Sequence, residues 1–175
     1  KWGAGTHSRK WLPEDLIPEI ENRILLFYSG TSRNSGINNW VLFKEFIDNT
    51  SDVRSRFQKI ADSTRAVETA LNTRDWRGAG EAIAQEWEIR KTLAKGITTP
   101  EIDRAFSESQ EEGVLYGKIC GAGGGGCFFT YFPTRSEEAL EVQKAKVKRI
   151  FENHGMTHLS FKGARQGLQI QVNRA

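Results

Sequence analysis

Apolar and polar positions along the chain follow two periods. The clearest run is Val53, Phe57, Ile60, Thr64, Val67 and Leu71, at steps of four and three, which places them on one helix face. Ser51 is placed to cap that helix. Upstream, Arg23–Ser29 is a near-continuous apolar run closed by Gly30, the pattern of a buried strand. Pro13 and Pro18 bracket a short helical turn at Glu14–Ile17. Trp40, Phe43, Phe46 and Ile47 predict a helix before the long one. Another is predicted over Arg77–Lys95, with Ala79, Ile83, Trp87 and Ala94 inward and Gly96 as its stop. Thr99-Pro100-Glu101 opens a further helix, with proline at the first position. Its core residues are Ile102, Ala105 and Phe106, and Gly113 ends it.

The texture then changes. Val114–Cys120 is short and mixed, and Gly121–Gly126 is too glycine-rich for regular structure. Cys127–Phe132 is aromatic and reads as a strand, closed by Pro133. Thr134 and Glu137 suggest a capping box for a helix reaching Asn153, with Leu140, Val147, Ile150 and Phe151 on its apolar face. Met156–Phe161 and Gly167–Val172 read as two final strands around a Lys162–Arg165 turn. No repeat or internal linker divides the chain. The predicted fold class is α+β, with a mainly antiparallel sheet.

Composition narrows the function classes. The 175 residues include 25 basic and 22 acidic ones, a net charge of +3. With 38% hydrophobic and 27% charged residues this is an ordinary globular composition, not collagen, low-complexity sequence or a disulfide scaffold. No apolar run approaches the roughly 18 residues of a bilayer span, so no membrane association is expected. Lys144–Arg149 is basic, but Glu137, Glu138 and Glu141 offset it on the same helix, so nucleic acid is not expected either. Cys120 and Cys127 have no zinc spacing and are expected as small buried thiols at strand ends. No metal site is expected, and the histidines read as structural or exposed. The expected compartment is the cytoplasm. The single methionine is Met156, so Lys1 is not a translation start and a longer protein is expected.

Two segments could carry chemistry. Five glycines lie within Gly121–Gly126, where the absence of Cβ atoms lets backbone N–H groups converge on an anion. Gly121, Gly123 and Gly126 match the dinucleotide fingerprint literally, but that mechanism needs a helix to open next, and a strand follows instead. No Lys-Ser/Thr follows the last glycine, which excludes a P-loop. A tight strand–strand connection remains the alternative to ligand contact. The second segment is Ser29–Ser35, directly after a buried strand. Thr31, Ser32, Arg33 and Ser35 suit a phosphate or a sugar, and Arg33 can grip two oxygens at once. A capped turn, with Ser35 starting the next helix, is the alternative there.

Lys118-Ile-Cys-Gly-Ala-Gly-Gly-Gly-Gly-Cys127 resembles the third, C-terminal motif of the GHMP kinase superfamily. Leu25–Ser35 is similar to the strand and turn of its sugar-kinase branch typified by D-glycero-D-manno-heptose 7-phosphate kinase. Glu86-Trp87, Lys91 and Ile97 resemble that branch's helix before the glycine loop. The likeness runs from about Glu21 to Val172. The superfamily's first motif and its Gly-Leu-Gly-Ser-Ser phosphate loop have no counterpart in the chain.

The resemblance implies a ferredoxin-like C-terminal domain with helices packed on one face of the sheet. It implies residues 1–22 as a tether and residues 23–175 as the domain. The implied activity is ATP-dependent phosphorylation of a sugar or sugar phosphate, heptose 7-phosphate-like. ATP and Mg2+ would be held mainly by an N-terminal kinase domain outside this chain, together with the catalytic residues. Gly121, Ala122, Gly123, Gly124, Gly125 and Gly126 would form the phosphate or ligand loop, and Thr31, Ser32, Arg33 and Ser35 the substrate contacts. Lys118 is expected to be an exposed strand residue. The chain alone is not expected to catalyse, and homodimerisation is left open. The alternative is a non-catalytic α+β module for ligand binding or subunit interaction.

Overall fold

The computed structural model describes residues 13–31, 36–111 and 116–164. In chain order the elements are α1 (Leu16–Asn22), β1 (Ile24–Tyr28), α2 (Gly36–Asp48), α3 (Val53–Asn72), α4 (Trp76–Lys91) and α5 (Pro100–Glu111). They are followed by β2 (Tyr116–Ile119), β3 (Cys127–Tyr131), α6 (Glu137–Asn153) and β4 (Thr157–Leu159). The four strands pair in the order β2-β3-β1-β4, and every pairing is antiparallel. This is the mainly antiparallel α+β arrangement that the resemblance implies.

The central strand explains the layering. In β1 all five residues are apolar or aromatic, so neither face can be left to water. One face presents Leu25 and Phe27, with Phe128 opposite Phe27 and Ile119 on β2. Phe27, Phe106, Phe128 and Phe151 form a connected aromatic set, with ring centroids 4.8–5.7 Å apart. Those rings join α5 and α6 to this face. The other face presents Ile24, Phe129 and Tyr131, packed with Ile20, Leu71, Trp76, Ala79 and Ile83. Tyr131 donates from its hydroxyl to the Trp76 carbonyl at 3.1 Å. Helices therefore cover both faces, which corrects the one-face expectation and follows from the unbroken apolar run of β1.

Several local expectations shift. The helix α1 continues through Pro18, because a proline in the first turn removes an N–H that has no partner there. Asp52, not Ser51, precedes α3, and neither residue caps it by a side chain, since both adopt left-handed backbone, φ 56° and 58°. Ser136 caps α6 in place of Thr134, accepting from the Ala139 amide at 3.4 Å. Val114–Cys120 contains a strand, β2, which its weak pattern concealed. In α2, Leu42 is buried, but Trp40, Phe43 and Ile47 are exposed at 72%, 60% and 61%. The predicted strand Gly167–Val172 and the stop at Gly113 lie outside the described residues.

Candidate functional site

The loop Gly121–Gly126 joins the neighbouring strands β2 and β3. Its mouth is closed by the Cys120 amide donating to the Cys127 carbonyl at 2.8 Å. All five glycines of the run have positive φ, between 70° and 121°. At Gly123 a Cβ would lie 2.5 Å from the Ile97 carbonyl oxygen, and at Gly125 2.6 Å from Thr31 Oγ1. Conformation and close approach both exclude a side chain at these two positions.

The loop is fastened on two sides. Gly124 donates to the Ile97 carbonyl at 2.6 Å, and Gly126 donates to the Thr31 carbonyl at 2.7 Å. Ser29 returns a bond from its amide to the Gly126 carbonyl at 2.9 Å. Ser29 Oγ also lies 3.3 Å from Thr31 Oγ1. The structure thus brings the glycine run and the start of the Ser29–Ser35 turn together. Ser32, Arg33 and Ser35 lie outside the described residues. The amides of Gly121, Ala122, Gly123 and Gly125 have no hydrogen-bond partner among the described residues. A Cβ at Gly121 or Gly126 would meet no described atom within 4 Å, so the backbone at both ends of the run borders open space. The unpartnered amides can face an anion, while those of Gly124 and Gly126 hold the loop in shape.

Ile97 enters the site through its backbone. Its side chain is apolar and 4% exposed, and its part is played by its carbonyl. No side-chain pattern signals that.

Beside the loop, Lys118 on β2 is not the exposed residue expected. Its Nζ lies 2.5 Å from Glu86 Oε2, and its side chain is 22% exposed. Glu86 is 5% exposed and also receives Arg90 Nε at 2.6 Å on Oε1. The Lys118 contact is an ion pair without good hydrogen-bond alignment. Burial pushes the Glu86 carboxyl up, and the contacts from Arg90 and Lys118 outweigh it, leaving the pKa below the ordinary carboxylate value. A buried carboxylate on α4 needs cations, and β2 supplies one. The two cysteines do stand at strand ends, but Cys120 is exposed and Cys127 half-buried, not buried as expected. Among the described residues no three of His, Cys, Asp and Glu cluster as metal ligands, and no helix is long and apolar enough to cross a membrane.

Residues 67–153 match the family model described as GHMP kinases C terminal. The fold is that of a GHMP kinase C-terminal domain. The mevalonate kinase of Archaeoglobus fulgidus is 32% identical over 91 residues, which are 50% of this chain and 32% of that protein. The Lin0012 protein of Listeria innocua superposes with a TM-score of 0.70 at 18% identity, over 81% of this chain and 39% of that one. Phosphomevalonate kinase of Streptococcus pneumoniae, solved with phosphomevalonate and AMPPNP, gives 0.61 at 16% identity, over 78% of this chain and 37% of that one. The match therefore spans about a third of the curated relative's length.

Proposed function

We propose that this chain is the C-terminal portion of an ATP-dependent small-molecule kinase. The acceptor is the hydroxyl of a small sugar or sugar phosphate, of the heptose 7-phosphate type. One observation carries the reading: a glycine loop clamped between Ile97 and Thr31 that leaves four amides without partners among the described residues. In phosphoryl transfer the acceptor oxygen attacks the γ-phosphorus, the bond to the β-phosphate oxygen breaks, and the hydroxyl proton leaves to a base. Catalysis consists of positioning and charge neutralisation. The loop's open amides suit equatorial phosphoryl oxygens, and Thr31, with Ser32, Arg33 and Ser35 after it, suits the acceptor. These residues fit the phosphate end of a nucleotide. ATP supplies the transferred group, and Mg2+ would be held by the rest of the protein.

The remaining wall of the site, with its catalytic base, belongs to an N-terminal portion of the kind that the longer relatives have room for. The exposed apolar residues Trp40, Phe43 and Ile47 support a partner there, since α2 opens five residues after Thr31. The reading is tested by assaying the complete protein for ATP-dependent phosphorylation of heptose 7-phosphate, galactose, mevalonate and phosphomevalonate. Preference for a sugar or its phosphate is expected. Preference for mevalonate would overturn the acceptor class, and no turnover with any acceptor would favour a non-catalytic binding module.

A further inference from the structure

At the far end of β1 from the glycine loop lies a cavity of about 540 Å³, walled by Asn22, Arg23 and Arg135 with Glu19, Glu137 and Leu140. Arg23 immediately precedes β1 and Ser29 immediately follows it. The five-residue strand separates the two ends by roughly 17 Å. The cavity is therefore not part of the site above.

Arg23 is 8% exposed, yet it has no carboxylate partner among the described residues. Its guanidinium carbon stacks 4.0 Å from the Trp76 ring centroid. Nη1 donates to the Glu19 carbonyl at 2.9 Å. Nε is buried and has no partner among the described residues. Burial depresses its pKa; Tyr131 and Glu19 act against that, and the like charge of Arg135 adds to it. A buried guanidinium with an unmatched donor is costly unless something anionic answers it.

Arg135 stands across the cavity, just before α6, and has no ion-pair partner among the described residues. Lys144 donates to Asn22 Oδ1 at 3.2 Å but is already paired with Glu141 at 2.8 Å, so the uncompensated cations of the cavity are Arg23 and Arg135. Two carboxylates share the wall. Glu19 is already engaged by Arg74 Nε at 3.2 Å, and Glu137 is exposed at the first turn of α6. The local balance favours an added anion, and guanidinium forks match tetrahedral oxyanions two oxygens at a time.

We propose that Arg23 and Arg135 form a second ligand site for a small phosphate-type oxyanion, a free phosphate or the phosphate group of a metabolite. Arg23 is pre-positioned by Trp76, and Arg135 closes over the ligand from the start of α6. The site lies apart from the glycine loop, so its occupant is not the transferred phosphoryl group.

The test is calorimetric titration of the complete protein with inorganic phosphate and pyrophosphate, using wild type and Arg135→Ala. Arg135 is exposed, so the variant leaves the core intact. Hydrogen–deuterium exchange with and without phosphate locates the anion. Saturable binding, at least tenfold weaker in Arg135→Ala, with new protection over residues 135–140, is expected. No saturable binding, equal binding by the variant, or protection confined to residues 121–126 would overturn the proposal. The last outcome would move the anion to the glycine loop and leave the kinase reading intact. Tighter binding of pyrophosphate than of phosphate supports a site built for a phosphorylated metabolite, and equal binding supports one for the free ion.

Discussion

The amide of Gly124 donates to the carbonyl of Ile97 at 2.6 Å, tying the glycine loop to the segment between α4 and α5. That bond, with the one from Gly126 to Thr31, holds the loop in a shape that only glycine can follow.

Gly124→Val in the complete protein is expected to lower kinase activity at least a hundredfold while the fold survives. The position has φ of 83°, where a β-branched residue is strained by roughly 1–2 kcal/mol. Strain of that size shifts a melting temperature by several degrees and does not unfold a domain. Steady-state kinetics beside a thermal melt checks it. Wild-type kinetics would reduce the loop to a structural turn.

The Lys1–Ala175 chain by itself is expected to show no ATP turnover with any of the four acceptors. The phosphate loop that opens a helix has no counterpart in its sequence. A coupled assay for ADP release is the measurement, and turnover above the protein-free rate would show that the chain is catalytically complete.

Lys118→Met is expected to destabilise the protein by about 1–3 kcal/mol at neutral pH, because Glu86 loses one of its two cations. The folded pKa of Glu86 is depressed, so its contribution is present above the ordinary carboxylate pKa and fades as pH falls through the lower folded value. The gap between wild type and variant should therefore narrow in acid. Melting curves from neutral pH down through the carboxylate range follow it, and a constant gap would mean that Lys118 acts by packing alone.

Trp40→Ser is expected to leave the stability of the isolated chain within about 0.5 kcal/mol, since this side chain is 72% exposed. In the complete protein the same change should lower stability or activity, because α2 would lose apolar contact with its partner. Thermal melts of both forms decide it. An effect in the chain alone, or in neither form, would remove α2 from the interface.

Much of the architecture was legible from periodicity. The step of four and three in α3 and the unbroken apolar run of β1 each have one economical structural answer. β2 was not legible, because Tyr116–Ile119 contains a glycine and a lysine whose acceptability depends on neighbours. Gly117 is needed because a Cβ would lie 2.4 Å from the Phe129 carbonyl, and Lys118 is tolerated because Glu86 lies across from it. The caps of α3 and α6 were misplaced for a related reason. The backbone path selects Ser136 over Thr134 at α6, and at α3 it turns left-handed through Ser51 and Asp52, so that neither side chain caps the helix.

By itself the sequence determined the fold class, the position of the glycine run and the strand that follows it, which removed the dinucleotide reading. These follow from local rules, in which residue type restricts φ and ψ and spacing selects a face. The tertiary structure alone decided that the loop is held by Ile97 and Thr31, and that Lys118 is partnered. It also decided that Arg23 and Arg135, far apart in sequence, share one cavity. Those facts depend on which backbone carbonyls and charges the folded chain brings within hydrogen-bond range, and no local pattern encodes a meeting between distant segments.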